Sequence, residues 1–240
     1  MPRIAVVIPC LNEARTIVEC VREADAGLQR AGFPGYILVV DSCSDDGSRL
    51  LAERAGAKVL GVGNEGYGHA LHSGILAADA DIAVTGDADM SYPLIDLGTL
   101  LEPIVAGGVD MVLGARLNRK MEAGAMPFLN RYLGTPVLSS LIAMLYGLPT
   151  TDCNSGMRAI LTSKYRLLRI KTTGMEYASE VLVEAALHGL RYTEVPICYR
   201  KDCRNRQSHL RRWRDGIRHL RTIIEHRWKG SRTQRGDAIE

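Results

Sequence analysis

Two aspartates separated by one residue, Asp87 and Asp89, are the side chains in this sequence best suited to hold a metal ion. They follow the apolar run 82–86, which is typical of a buried strand. In extended backbone, residues i and i+2 point to the same side, so a strand end can direct both carboxylates at one hard cation. Mg²⁺ or Mn²⁺ held there would neutralise the charge that grows on a departing diphosphate. A solvated turn is the alternative explanation when the pattern stands alone.

Two other strand-like runs also end in polar residues, which favours the metal interpretation. The run 3–8 leads into PCLNE (9–13), and the run 36–41 ends in Asp41 and leads into SCSDDGS (42–48). Ligands of open α/β sheets bind at the carboxyl ends of strands, so three such ends predict one crevice lined with acids. Asp41 there could accept a hydrogen bond from a nucleobase N–H. For residues 45–48 an ordinary turn and helix cap is the simpler explanation.

A glycine-rich stretch, GNEGYGHA (63–70), precedes a predicted helix. Its amides could approach a substrate closely, because glycine has no side chain. The stretch lacks the lysine of a P-loop, and it does not follow the first strand as a dinucleotide-binding motif does. By itself it is a weak indication of a binding site.

The elements that must position these residues alternate between strand and helix through the first half of the chain. This alternation predicts an α/β domain with a mainly parallel sheet and helices on both faces. The predicted strands are 3–8, 36–41, 58–62, 82–86 and 111–114, and the predicted helices are 13–30, a helix from 47, and 69–78.

The second half has a different pattern. It predicts a helix over 127–146, an amphipathic helix over 177–188, and a strand over 192–199 that Pro196 places near an edge. A basic helix over 209–228 carries apolar residues three and four positions apart, namely Leu210, Trp213, Ile217, Leu220 and Ile224. Such a helix is usually a solvated face, but it could also lie on anionic lipid or follow a phosphate backbone. The predicted division is a domain over 1–208, then the basic helix and a polar tail over 209–240.

Composition limits the classes of protein that remain. With 240 residues, 46% hydrophobic and 24% charged, the chain is a folded protein, and a net charge of +3 is too small to indicate a partner. The longest apolar run, 137–148, is too short to cross a hydrocarbon core of about 30 Å as a helix. Six scattered cysteines without a CxxC pair and the lack of an export signal predict a cytoplasmic protein. A peripheral position on the inner face of a membrane is an additional expectation.

Taken in order, these pieces resemble the inverting glycosyltransferases of family 2, which have the GT-A fold. The nearest branch is that of the dolichyl- and polyprenyl-phosphate sugar synthases and their bacterial relatives. The matching stretches cover about nine-tenths of the chain; they are IPCLNE (8–13), VVDSCSDDGS (39–48), GYGHAL (66–71), GDADMSYP (86–93), GAR (114–116), GAMPFLNRYLGTPVLS (124–139), DCNSGMRA (152–159), MEYASEVLVEAALHGLRYTEVP (175–196) and HLRRWRDGIRHL (209–220).

The resemblance implies a role for individual residues. Asp87 and Asp89 would hold Mg²⁺ or Mn²⁺, Asp41 would contact the base, and Arg116 would lie against the donor diphosphate. The implied nucleotide-sugar-binding residues are Pro9, Leu11, Asn12, Glu13, Asp41, Ser42, Gly66, Asp87, Ala88, Arg116 and Arg204. The implied catalytic residues are Asp89, Arg116, Arg131 and Glu180.

The implied reaction is one in-line displacement from a UDP- or GDP-sugar to an anionic acceptor, with polyprenyl phosphate favoured. A phosphate acceptor is already ionised, so Arg131 need only position it. A water-soluble hydroxyl acceptor is the alternative, and it would require a carboxylate base, with Glu180 or Glu176 as candidates.

The sequence departs from the polyprenyl-phosphate pattern at several positions. Ser42 replaces the second acid of the usual VDD, Ser91 replaces a glutamine, and Arg206 and His209 replace a glycine and a lysine. A nucleotidyltransferase would open with a glycine-rich basic loop where this chain reads PCLNEA. A nucleic-acid-binding module would leave the aspartates without a purpose, so no nucleic acid partner is expected.

Overall fold

The computed structural model describes residues 1–117, 121–203 and 212–236, and within the last helix the side chains of 214–227. The described chain forms a sheet with strand order β3-β2-β1-β4-β6-β5-β7. The strands are β1 (Ile4–Cys10), β2 (Gly35–Asp41), β3 (Lys58–Gly61), β4 (Ile82–Thr85), β5 (Met111–Ala115), β6 (Arg158–Leu161) and β7 (Tyr192–Pro196). The prediction of a mainly parallel α/β sheet is confirmed, and β7 lies at the edge of the sheet, as Pro196 indicated.

Strand β6, which is antiparallel to the other strands of the described sheet, determines which segments meet at the site. It runs antiparallel to both β4 and β5, whereas β1, β2 and β4 are mutually parallel. The chain therefore enters β6 at the same edge at which the other strands end. Residues 152–157, which sequence patterns did not assign to this edge, are delivered there by β6.

Helices cover both faces of the sheet. They are α1 (Ile17–Ala31), α2 (Ser48–Arg54), α3 (Tyr67–Ala77), α4 (Gly98–Val105), α5 (Thr135–Tyr146), α6 (Thr162–Tyr165), α7 (Tyr177–Leu187) and α8 (Arg212–Gly236). A π-helical turn, Asn130–Gly134, precedes α5, so the predicted helical character of 127–146 is confirmed. Alternate residues of β1 enter different cores, because Ile4, Val6 and Ile8 pack with α1 and α4 while Val7 packs with α3 and α7.

Helix α7 corrects one expectation. The segment 177–188 was predicted to be amphipathic, but every residue from Tyr177 to Ala185 is buried. The reason is that α5 and α8 both pack on α7 and cover the face that would otherwise meet water. Glu180 and Glu184 are therefore interior carboxylates.

Helix α8 presents its predicted apolar stripe to the outside. Ile217, Leu220 and Ile224 are 65%, 40% and 41% exposed. The buried face is instead formed by Asp215, His219, Thr222 and Ile223. Leu210, the side chain of Trp213 and the expected boundary at 208/209 lie outside the described residues. None of the helices in the described ranges has the length and apolar character needed to cross a bilayer.

A candidate nucleotide and metal site at the carboxyl edge of the sheet

Backbone strain is concentrated just beyond the ends of β1, β2 and β4, which we call the carboxyl edge. Asn12, Cys43 and Met90 adopt positive φ angles of 56°, 62° and 67°. They are the non-glycine residues with positive φ in the described parts of the chain, and each follows a different one of these three strands. Such conformations cost free energy and persist where the surroundings impose them, commonly at ligand sites.

The loops after β1 and β2 are joined by hydrogen bonds. Asn12 donates its amide to Ser44 Oγ at 2.9 Å and accepts one from Asp45 through Oδ1 at 2.9 Å. The next amide, that of Glu13, donates to Ser48 Oγ at 2.8 Å. Residues 44–48 thus act as a structural turn that fixes residues 12–13, in line with the turn interpretation of that stretch.

Asp41, at the end of β2, carries an unsatisfied buried oxygen. The residue is 4% exposed, and Oδ2 accepts a hydrogen bond from the amide of Ser44 at 3.2 Å. Oδ1 is buried and has no hydrogen-bond partner among the described residues. Burial, together with the charge of Asp41, raises the pKa of the Cys10 thiol to about 11, so that neighbour stays neutral. An orphaned buried acceptor is costly, and it fits a ligand that supplies an N–H.

The aspartate pair follows β4 and is held by hydroxyl groups. Tyr67 donates its hydroxyl to Asp87 Oδ1 at 2.8 Å, and Ser91 donates to Asp89 Oδ1 from its amide at 3.0 Å and its hydroxyl at 2.5 Å. Burial and the charge of Asp87 raise the pKa of Tyr67, so its phenol remains a donor. The carbonyl of Ala88, between the pair, accepts a hydrogen bond from Thr16 Oγ1 at 2.6 Å.

The donor set of this pair suits a hard divalent cation that is shared with a ligand. Asp87 is half-buried and Asp89 is 2% exposed, so both carboxylates lie at the floor of the edge. In the ranges that the structure describes, no three His, Cys, Asp or Glu side chains are grouped so as to hold a metal ion by themselves. Two carboxylates with further oxygens from a diphosphate would complete an oxygen-ligand set for Mg²⁺ or Mn²⁺.

Arg116 is occupied by a partner that sequence reasoning missed. Asp152, which is fully buried, accepts hydrogen bonds from Arg116 N, Nε and Nη2 at 2.9, 2.8 and 2.7 Å. The guanidinium also lies 5.0 Å from the ring centroid of Tyr199. Asp152 begins the family-like stretch DCNSGMRA (152–159), and this match was the feature of the sequence that could have pointed to Asp152 as a site residue. The bidentate ion pair with Asp152 offsets much of the charge of Arg116. The contact of Arg116 with a diphosphate stays a prediction.

Gly156 marks a close approach beneath the aspartate pair. A Cβ atom there would lie 2.7 Å from the Tyr67 hydroxyl and 3.2 Å from Asp87 Oδ1. Its amide donates to the Tyr92 hydroxyl oxygen at 2.7 Å, and its carbonyl accepts from Thr85 Oγ1 at 2.6 Å. A glycine is therefore needed for Tyr67 to reach Asp87.

The glycine-rich loop before α3 packs against the start of α7. A Cβ atom on Gly66, whose φ is 129°, would lie 2.5 Å from the Thr173 carbonyl oxygen. A Cβ atom on Gly68 would lie 2.5 Å from Tyr177 Cβ. The amide of His69 donates to the Thr173 carbonyl at 3.1 Å. These glycines thus allow loop 171–176 to approach the start of α3, where Tyr67 lies.

Arg131 lies in the π-helical turn among exposed apolar side chains. Its guanidinium is 5.3 Å from the ring centroid of Tyr132. Phe128, Tyr132 and Leu133 are 76%, 59% and 55% exposed. Within the described ranges no ion pair joins Arg131 to Asp87 or Asp89. The expected contact of Arg131 with an acceptor stays a prediction. Arg204 lies outside the described residues.

Glu180, a candidate base from the sequence, has a structural position instead. Its carboxylate is fully buried and accepts hydrogen bonds from the Lys171 amide and from the amide and hydroxyl of Thr172 at 2.6–3.1 Å. Burial opposes ionisation, but hydrogen bonds from His226, Thr172 and Lys171 lower the pKa of Glu180. A carboxylate with its oxygens filled in this way is poorly placed to accept a proton from a substrate.

Fold and site together define a glycosyltransferase domain of the GT-A class, and comparison with known proteins agrees. The sequence model of "Glycosyl transferase family 2" matches residues 5–168. The chain belongs to this family.

Similar proteins come from archaea and bacteria. The Haloferax volcanii low-salt glycan biosynthesis hexosyltransferase Agl6 is 34% identical over 93% of this chain, which spans about half (53%) of the length of that relative. A dolichyl-phosphate hexose transferase of the same organism is 32% identical over 82% of this chain and 83% of its own length. The crystal structure of Mycobacterium tuberculosis glucosyl-3-phosphoglycerate synthase with Mn²⁺, UDP and phosphoglyceric acid has a TM-score of 0.75. At 20% identity over 94% of this chain and 78% of that one, this match supports the fold alone.

Proposed function

We propose that this chain is a metal-dependent, inverting glycosyltransferase. It takes a sugar from a UDP- or GDP-sugar and passes it to an anionic acceptor, for which polyprenyl phosphate is the favoured candidate. The observation that carries the proposal is the unsatisfied, buried Oδ1 of Asp41 at the edge that also holds Asp87 and Asp89. The base of a nucleotide sugar needs an acceptor for its N–H, and the diphosphate needs a charge-neutralising site.

The nucleotide is held by the loops after β1 and β2. Asp41 Oδ1 accepts the base N–H, and the strained backbone at Asn12 and Cys43 lines the pocket. The remaining pocket residues are Pro9, Leu11, Glu13, Ser42, Gly66 and Ala88. Because these loops are already fixed by the serines at 44 and 48, little ordering is required when the nucleotide binds.

The diphosphate lies toward the aspartate pair. A divalent cation held by Asp89 and Asp87 would neutralise the charge on the departing diphosphate. Ser91 keeps one oxygen of Asp89 in place, and Tyr67 does the same for Asp87. Arg116 and Arg204 are proposed to add positive charge at the edge.

The acceptor approaches from a surface that we call the apolar rim, formed by Phe128, Leu129, Tyr132, Leu133 and Val137. Each of these side chains is between 40% and 76% exposed, an unusual concentration of apolar surface beside the cation Arg131. An acceptor with an isoprenoid chain and a phosphate matches both features. The similarity to a dolichyl-phosphate hexose transferase supports this acceptor.

In the reaction, an acceptor phosphate oxygen forms a bond to the anomeric carbon while the bond from that carbon to the diphosphate oxygen breaks. The configuration is inverted, and the nucleoside diphosphate leaves with the bonding electron pair. The acceptor is already an anion near neutral pH, so Arg131 positions it and no residue has to remove a proton.

Helix α8 supports a peripheral position at the inner face of a membrane. Its exposed apolar residues Ile217, Leu220 and Ile224 share the outer side of the helix with exposed Arg218 and Arg221. A face of this composition suits the boundary between anionic headgroups and acyl chains.

A water-soluble hydroxyl acceptor is the second candidate. It is favoured by Glu176, whose Oε2 is buried without a hydrogen-bond partner in the described parts of the chain. Glu176 immediately precedes Tyr177, which packs on Gly68. A hydroxyl acceptor would need such a carboxylate as a base.

The test is a panel of nucleotide sugars, with Mg²⁺ or Mn²⁺ present, in which slow donor hydrolysis is measured without any acceptor. We expect hydrolysis of one UDP- or GDP-sugar that a chelator abolishes. Polyprenyl phosphate and soluble hydroxyl compounds are then added to separate the two acceptors. Hydrolysis that is indifferent to chelation would overturn the metal-dependent mechanism.

A further inference from the structure

Helix α8 contacts α7 through a histidine, His226, that faces two buried glutamates of α7. His226 Nε2 lies 3.3 Å from Glu180 Oε1 and 3.5 Å from Glu184 Oε1. Its other ring nitrogen, Nδ1, lies 2.9 Å from the carbonyl oxygen of Thr222. Both glutamates are at least nine-tenths buried, so their charges are screened little by water.

The surroundings of His226 favour its protonated form. A carbonyl oxygen can only accept a hydrogen bond, so Nδ1 carries the hydrogen that reaches Thr222. On the other side of the ring, Nε2 lies close to two buried carboxylates, and their negative charges stabilise an imidazolium. In agreement, the hydrogen bond to Glu180 raises the pKa of His226 although burial opposes the charge.

Several other described groups surround this contact, and most of them reach it through backbone atoms or from a greater distance. From α3, His72 acts on Glu180 electrostatically, and burial lowers the pKa of His72. From α7, His188 places Nδ1 2.9 Å from the Glu184 carbonyl oxygen and 3.6 Å from Glu184 Oε2. From the preceding loop, Arg169 and Lys171 reach the glutamates through their backbone amides. From α5, the Tyr146 hydroxyl binds the Ile223 carbonyl. On α8 itself, Arg227 is exposed.

A continuous set of contacts leads from His226 to the carboxyl edge. Glu180 holds the amide and hydroxyl of Thr172 at 2.8 and 2.6 Å. The next residue, Thr173, accepts the His69 amide and leaves no room for a side chain on Gly66. Tyr67, which lies between Gly66 and His69 in the sequence, donates its hydroxyl hydrogen to Asp87 Oδ1.

We propose that His226, as an imidazolium, is a positioning residue for the donor site. It holds Glu180 where this carboxylate fixes residues 171–173, and those residues fix Gly66 and Tyr67 beside Asp87. The inference rests on the proposed function, because it takes the site beside Asp87 to be the one that binds the donor.

The contact gives the donor site a defined pH dependence. A histidine whose pKa is raised in the folded state contributes stability fully below its unfolded pKa of about 6.5. That contribution is lost as the pH rises through the raised folded value. Order in residues 171–173 and affinity for the donor are therefore expected to fall on the alkaline side.

The test compares His226→Gln and His226→Lys with wild type from pH 6 to 9. Two quantities are measured: amide hydrogen exchange in 66–69 and 171–173 without ligand, and the dissociation constant for UDP or GDP with Mg²⁺. We expect His226→Gln to bind the nucleotide roughly fivefold to tenfold more weakly at pH 6, about the net contribution of one ordinary hydrogen bond. His226→Lys, which stays charged, should restore affinity and keep it at pH 9.

His188→Gln is the matched control, because His188 contacts Glu184 but not Glu180. It should leave exchange in 171–173 and its pH dependence unchanged. The proposal is overturned if His226→Gln keeps the wild-type pH profile of exchange, or if His226→Lys folds with α8 docked and fails to restore protection. A wild type that binds no nucleotide while exchange behaves as expected would contradict the proposed function instead.

Discussion

The carboxyl edge and the apolar rim differ in which kind of side chain is buried and which is exposed. At the edge, polar atoms are buried, hydroxyl groups orient carboxylates, and three residues hold strained backbone angles. At the rim, large apolar side chains stand in water and one arginine stacks on a tyrosine. The edge is a framework of fixed polar contacts, whereas the rim is an exposed apolar surface.

Under the proposed function, this difference matches the two kinds of substrate that the regions would bind. A small polar ligand is selected by hydrogen bonds of fixed geometry. Its site therefore contains buried polar groups and strained backbone, both of which lower the stability of the fold. A lipid chain has no hydrogen-bonding pattern, so its site needs only apolar area beside a charge that can meet the phosphate. Substitutions at the edge should therefore act steeply on chemistry, and those at the rim should act gradually on surface binding.

The largest effect is expected for Asp89→Asn. The amide keeps the volume and can still accept from Ser91, but it is a much weaker cation ligand. Transfer and donor hydrolysis should fall by about 10²–10³-fold or more, as when a principal electrostatic stabiliser is removed. Steady-state rates and circular dichroism check this, with the exposed Asp79→Asn as control. Near-normal rates would place the cation elsewhere.

A smaller effect is expected for Asp41→Asn. The amide would present N–H groups where the base presents its own, so nucleotide binding should weaken by about 1–3 kcal/mol. Calorimetry with UDP and with GDP measures this directly. Asp45→Asn removes an exposed carboxylate from the same turn and should change nothing. Unchanged affinity of Asp41→Asn for both nucleotides would remove this residue from the pocket.

The role of the apolar rim is tested by Phe128→Ser, which replaces a side chain that is 76% exposed. Loss of its burial in lipid should weaken binding to vesicles containing anionic lipid by about 1–2 kcal/mol, while donor hydrolysis stays unchanged. Co-sedimentation at several salt concentrations measures this, and wild-type binding should weaken as ionic strength rises. If the wild type never sediments with vesicles yet transfers sugar to a soluble compound, the rim is not a lipid surface.

The smallest effect is expected for Ser91→Ala. It removes the hydroxyl bond to Asp89 but leaves the amide bond in place. Affinity for Mn²⁺ with nucleotide should fall by about 0.5–1.5 kcal/mol, the usual contribution of one hydrogen bond. A metal titration followed by donor hydrolysis measures the change. A loss as large as that of Asp89→Asn would mean that Ser91 contacts the cation itself.

The edge was more accessible from the sequence than the rest of the molecule. Parallel strands that end in polar residues bring those residues to one edge of the sheet, so the pattern of strand ends predicted Asp41, Asp87 and Asp89 at the same edge. Asp152 could not, because its position depends on β6, a four-residue antiparallel strand inserted between β4 and β5. Its partnership with Arg116 is a property of topology rather than of local pattern.

The helices show the same limit in another form. Periodicity identified an apolar stripe on α8, but that stripe faces outward while His219, Thr222 and His226 face α7 and α5. Glu180 likewise was a candidate base from the sequence, but its carboxylate is enclosed by α8 and loop 171–172. A pattern gives the faces of a helix, and only the packed neighbours decide which face is covered.

The most direct measurement for the central claim is the melting temperature with nucleotide and cation together. A ligand that binds only the native state must raise this temperature. We expect UDP or GDP with Mn²⁺ to raise it, a chelator to cancel most of the rise, and Asp41→Asn to reduce it. No rise with either nucleotide, or a rise that persists in full after chelation and in Asp41→Asn, would contradict a metal-assisted nucleotide site at the carboxyl edge.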